Sequence, residues 1–212
     1  MGGERAVSVA AGAYHSLAIT ADGAVWSWGE GSVGQLGHGD EHSQPLPKKV
    51  EAFADQRAVA VSAGRAHSLA LAADGSVWSW GRGYSGPLGH GGDEDQLLPK
   101  KIEAFAGRRV ISVLAGAVYS FASTADGAVW SWGEGEHGQL GHGDEEEQQL
   151  PKKVETFAGQ RVVAVSAGAH HNLAITADGA VWSWGQGGGR LGHGEQQHQL
   201  LPKKVEAFAG QR

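Results

Sequence analysis

The sequence predicts an all-β fold: about four small antiparallel sheets stacked side by side as the blades of a β-propeller. Three observations carry this. A repeat fills the chain, every copy holds an Asp-Gly hairpin signal, and short segments of alternating polarity flank that signal. Gly12, Gly64, Gly116 and Gly168 stand 52 residues apart, as do Trp26, Trp78, Trp130 and Trp182 and, two residues on, Trp28, Trp80, Trp132 and Trp184. Leu36, Leu88 and Leu140 keep the step and Leu191 arrives one residue early, because "GQGGGRLG" is one shorter than "GEGSVGQLG". The first and third copies agree at 19 of 21 positions between Thr20–Asp40 and Thr124–Asp144. The whole chain, 1–212, reads as one repeat domain with units at about 5–56, 57–108, 109–160 and 161–212, and the first and last residues meet in one phase.

Each element of the unit has a physical reason. "AVSVAAG" (6–12) is β-branched at Val7 and Val9 and ends in Gly, as a short strand does. "HSLAIT" (15–20) alternates, with Leu17 and Ile19 on one face. "ADG" then turns the chain, since Asp-Gly between alternating runs is a strong hairpin signal. "AVWSWG" (24–29) returns with Val25 and Ser27 on one face and both tryptophans on the other. A Gly-rich loop leads to "LPKKVEAFA" (46–54), a fourth extended piece begun by Pro47 whose "VEAFA" end has a short helical turn as its alternative. A sheet of this size cannot bury both faces alone, so the units must stack. Radial stacking makes a propeller; a linear solenoid, the competitor, has shorter repeats without a hairpin in each.

Composition narrows the function. The 41% hydrophobic residues and 8 Trp set the chain apart from disordered ones, so its 35 Gly serve turns. A net charge of −6 gives no support for binding nucleic acid. The absence of Cys removes disulfides, thiol catalysis and thiolate metal sites. With no long apolar run and no signal-like start, a soluble protein of the cytoplasm or nucleus is expected.

The repeated phrase offers Asp, Ser and Trp but no nucleophile paired with a base, so no catalytic residue is expected. Asp22, Asp74, Asp126 and Asp178 fit turn positions. The eight tryptophans, Trp26, Trp28, Trp78, Trp80, Trp130, Trp132, Trp182 and Trp184, are expected to form the structural core. Eleven His include a series at His38, His90, His142 and His193 and another at His15, His67 and His171, with Tyr119 replacing it in the third unit. Their spacing matches no zinc pattern, so structural hydrogen bonding is expected and no metal or cofactor. Lysine doublets such as Lys48-Lys49 and acidic loops such as Asp144 to Glu147 recur too, as solvated charge or as a weak attraction for a charged partner.

The phrase G-x-x-H-S-L-A-[IL]-x-x-D-G-x-V-W-S-W-G-x-G-x-x-G-x-L-G-H-G resembles the repeat of the regulator of chromosome condensation family across all four units. The resemblance implies propeller blades, commonly seven in a ring, where this chain has four. It implies a non-catalytic scaffold that presents blade loops to a protein partner. Nucleotide exchange on a small nuclear GTPase is the alternative it offers, although no insertion here supplies the wedge hairpin of founding-type exchange factors. A light-sensing role like that of the family's plant ultraviolet-B photoreceptor is a further alternative. There the "GWRHT" tryptophan position is held by Tyr14, Ala66, Val118 and His170 in this chain.

Core positions need sameness and recognition surfaces need difference. Positions that vary between units at equal phase are therefore the expected partner-binding residues: Tyr14, Arg65, Val118 and His170 in one loop, and Tyr84, His137 and Arg190 in the Gly-rich loop. Four units leave open sheet faces at both ends, which three routes close: a tight four-bladed ring, two chains together, or further repeats. An incomplete arc or a fragment is the expected state, and the isolated chain is expected to self-associate through its open ends.

Overall fold

The computed structural model describes residues 5–208. The remaining terminal residues, used above for the unit limits and for the match of phase between the two ends, lie outside that range. Sixteen strands form four four-stranded sheets, each a meander in sequence order. The first blade contains β1 (Ala6–Ala11), β2 (His15–Thr20), β3 (Val25–Gly29) and β4 (Gln44–Lys49), followed by a 3₁₀ turn at Glu51–Phe53. The second holds β5 (Ala58–Ala63), β6 (His67–Ala72), β7 (Val77–Gly81) and β8 (Gln96–Lys101), the third β9 (Val110–Ala115), β10 (Tyr119–Thr124), β11 (Val129–Gly133) and β12 (Gln148–Lys153). The fourth has β13 (Val162–Ala167), β14 (His171–Thr176), β15 (Val181–Gly185) and β16 (Gln199–Lys204). All pairing is antiparallel.

Two details depart from the sequence expectation. The fourth strand starts at Gln44, before Pro45 and Pro47, and pairs only with β3, so it is the outer edge, where a residue without an N–H is tolerated. Its helical alternative holds for the segment that follows, since Glu51–Phe53 closes a 3₁₀ turn through Ala54 N–H to Glu51 C=O at 3.0 Å. The aspartates cap hairpins as expected. Asp74 Oδ1 accepts from the Ser76 amide at 2.8 Å, and Asp22 Oδ1 accepts from the Thr20 hydroxyl at 2.6 Å.

The core lies between blades. Leu17, Ile19, Val25, Val50 and Phe53 of the first blade meet Ala58, Ala70, Ala72 and Trp80 of the second. The same layers recur at the second junction and, with Tyr119 and Phe121, at the third. Trp80, Trp132 and Trp184 are wholly buried; Trp28, which has no preceding blade, is only half-buried, and so are Trp26, Trp78, Trp130 and Trp182. In each junction the 3₁₀ phenylalanine meets the next blade's first tryptophan edge to face, with centroids 5.5, 5.9 and 5.7 Å apart. Four sheets and three junctions make an arc that does not close.

Candidate functional site

A meander puts its first and third connections at one end of the sheet and its hairpin at the other. The loop between the first two strands of each blade and the Gly-rich loop after the third therefore share an end. All seven residues selected for their variation sit on these loops, and the structure links them in a row. The Arg65 guanidinium lies over the Tyr14 ring at 6.0 Å, across the first junction. Arg65, Tyr84 and Val118 line a cleft of about 190 Å³ at the second junction, together with Arg82, Pro87 and Glu134. At the third junction the His137 ring stands against His170 (4.9 Å) and His198 (5.3 Å). Arg190 is close enough to His170 for its charge to weigh on that imidazole, and it bonds Gln186.

Tyr84 is 70% exposed, an unusual position for an aromatic ring with no packing role. Its neighbour Ser85 has φ 64, the one non-glycine residue in the left-handed region among the described residues. That conformation costs about 1–2 kcal/mol and is found where a loop's shape matters. Burial raises the Glu134 carboxyl, with Glu136 adding repulsion and His137 opposing it. Burial lowers His170, helped by His137 and Arg190, and its Nδ1 lies 3.9 Å from Glu134. The face is thus a run of aromatic, imidazole, guanidinium and carboxylate groups that can bind but that place no nucleophile against a base. Among the described residues no group of His, Asp and Glu has metal-holding geometry.

The histidines have the expected structural partners. Ser27, Ser79, Ser131 and Ser183 each donate to the carbonyl of the loop leucine at 2.6–2.7 Å, so His38, His90, His142 and His193 donate Nε2–H to those hydroxyl oxygens. The other series spans junctions. His15 meets Ser68 at 2.8 Å, His67 meets Ser120 at 3.0 Å, and at the third junction Tyr119 donates to Asn172 Oδ1 at 2.9 Å. Two sets escaped sequence reasoning. Arg82 and Glu134 occupy one phase, with Glu30 and Gln186, and that variation was readable. The Tyr119–Asn172 pair was readable as well: His becomes Tyr in the third unit and Ser becomes Asn one unit later.

The lysines are partly neutralised within their own blades, Lys203 by Glu195 at 2.7 Å and Lys152 by Asp144 at 3.7 Å. A larger cleft, of about 530 Å³, opens at the opposite end around Asp74, Lys101 and Arg109. Hairpin and 3₁₀ turn line it, elements that every unit repeats. Of its lining Arg108, which stands where the first and third units have Gln56 and Gln160, is particular to this position, and its guanidinium lies over the Trp130 ring at 4.6 Å.

With this geometry in view, the chain's likenesses can be placed. A family model of the RCC1-like domain matches residues 2–168, and models of the regulator of chromosome condensation (RCC1) repeat match 162–189 and 178–212. The chain is 40% identical over 209 residues to the E3 ubiquitin-protein ligase HERC2 of Homo sapiens, covering 97% of this chain and 4% of that protein. It is 40% identical to the ultraviolet-B receptor UVR8 of Arabidopsis thaliana, covering 96% of this chain and 47% of that one. Its backbone matches a crystal structure of Kap60 bound to yeast RCC1 (Prp20) with TM-score 0.79 at 26% identity, covering 94% of this chain and 48% of that one. The chain thus spans half or less of the length of these relatives.

Proposed function

The chain belongs to the RCC1-like repeat family, and from that premise we propose that it is a non-catalytic scaffold whose loop face binds a protein partner. One observation carries this reading: the seven residues chosen for their variation at equal phase all fall on one end of the blades, where they form a continuous row, while the opposite end varies less, chiefly at Asp55 and Arg108. A packing constraint would vary neither end, and drift would vary both alike. The exposed Tyr84 beside Arg65 has the residue types that anchor protein interfaces. A yeast relative whose structure is described with Kap60 bound supports protein recognition as the family's mode of action.

The test is site-specific photo-crosslinking in a cell extract, with the reactive residue at Tyr84 or, as the control, at Ala73 beside the hairpin. Adducts to a defined protein from Tyr84 and none from Ala73 are expected, and Arg65→Ala should reduce them. Equal labelling from both ends, or adducts from Ala73 alone, would overturn the reading.

A further inference from the structure

Among the described residues, nothing covers the two outer faces of the arc. On the fourth blade Leu173, Ile175 and Phe208 are 41%, 43% and 54% exposed, whereas Leu17, Ile19 and Phe53 at the same positions of the first blade are 0–1% exposed. On the first blade Val9 is 73% exposed and Trp26 and Trp28 are half-buried, whereas Val61, Trp78 and Trp80 pack on the blade before them. We propose that these faces are the two halves of a fourth junction, made head to tail between two copies of this chain.

Apolar exposure alone would not name the occupant; the polar register does. Every internal junction pairs matched groups, His with Ser twice and Tyr with Asn once. His171 and Ser16 are the members left on the open faces, and they are a matched pair of the first kind. The indole N–H groups of Trp132 and Trp184 donate to the Pro87 and Gln139 carbonyls of the preceding blade, both at 2.9 Å. Trp80, at the first junction, is buried with its indole N–H unpartnered, and by the same phase Trp28 is the donor on the open face and the Arg190 carbonyl its acceptor. Backbone bonds run from Gly39 to Leu97, Gly91 to Gln149 and Gly143 to Leu200, which leaves Gly194 for Pro45.

Space agrees with register. A Cβ added to Gly37, Gly89 or Gly141 would come within 2.9–3.0 Å of the next blade's indole nitrogen. At Gly192, their counterpart, the nearest neighbour would be Val205 Cγ1 at 3.4 Å, so room for an indole stands open. Phe208 would meet Trp26 edge to face as the three earlier phenylalanines meet theirs. An unrelated partner would need to reproduce this register, whereas a second copy has it by construction.

The test is mass by light scattering after size exclusion, over a wide concentration series of the full chain. Mass should rise above 22.0 kDa with concentration. Val9→Lys and Ile175→Lys should each weaken association by roughly thirtyfold or more, as loss of an interface anchor does. Both positions face solvent in the single chain, so both variants should keep the wild-type circular dichroism and melting temperature when dilute. Mixed together they should associate again, because each supplies the face that the other has lost. A wild type that stays at 22.0 kDa throughout, variants that associate like the wild type, or a mixture of folded variants that stays monomeric would each overturn the proposal.

Discussion

Lowering the pH from 7 to 5 should loosen the first two junctions before the third. Burial depresses His15 from 6.5 to about 4, against a small opposing pull from Glu30, and His67 to about 3, with His15 adding to the effect. The geometry gives the reason. Ser68 and Ser120 spend their protons on the Gln35 and Pro87 carbonyls, so each imidazole donates through Nε2, and Nδ1 of His15 is buried without a partner. A second ring proton would have nowhere to bond. Because the folded pKa lies below the unfolded one, the unfolded chain binds more protons between them. Stability is complete above about pH 6.5 and is lost as pH falls toward the folded value. At pH 5 that linkage removes about 2 kcal/mol from each of the two junctions. The third junction has Tyr119, whose hydroxyl burial pushes up, so it keeps its proton throughout this range. Burial also lowers the loop histidines His38, His90 and His142, the last two to about 4; they are part-exposed, so their loss is screened, and it falls on each of the first three blades alike. Glu134, also raised by burial, acts in the opposite sense to the buried imidazoles, while the lowered His170 is half-exposed and its effect is screened. The depressed turn aspartates begin to lose stability only below their ordinary value of 3.8. Hydrogen exchange at pH 7 and 5, corrected for intrinsic rates, reads this strand by strand. Amides of β2, β6 and β9 should lose protection by roughly thirtyfold, and those of β10 and β14, where no wholly buried imidazole lies, by less. Uniform loss, or loss from the third junction first, would refute the assignment.

Two further predictions concern packing. Trp132→Ala should cost about 3–5 kcal/mol in a urea titration, whereas Trp28→Ala, at a face without a neighbour in the single chain, should cost roughly half of that or less. Tyr119→Phe should cost about 1–3 kcal/mol by leaving Asn172 Oδ1 without its donor. In a double-mutant cycle with Asn172→Ala the two losses should fall short of additivity; additive losses would mean that the pair does not act as one unit.

Much of this molecule was legible from its amino acids because its constraints are local. His15–Thr20 is a strand at the limits its alternation shows, and Asp-Gly makes each hairpin because the three-residue loop ends in the left-handed region, which glycine allows. The outer strand was harder. Proline argues against a strand unless it lies on an edge, and whether a segment is an edge depends on what does not pair with it. The loop face was legible as a set of variable positions but not as a surface, since Arg65 and Tyr14 are brought together only by the stacking of separate blades.

By itself, then, the sequence determined the blade: its strands, its turns, the aromatic residues it would bury and the residues it would vary. Tertiary structure alone decided which indoles are buried and which are not. Trp28 and Trp80 stand in the same local phrase, yet one is half-buried and the other wholly so, because only the second has a blade before it. Burial is a property of neighbours, and a repeated sequence says the same thing at every position while the neighbours differ at the ends.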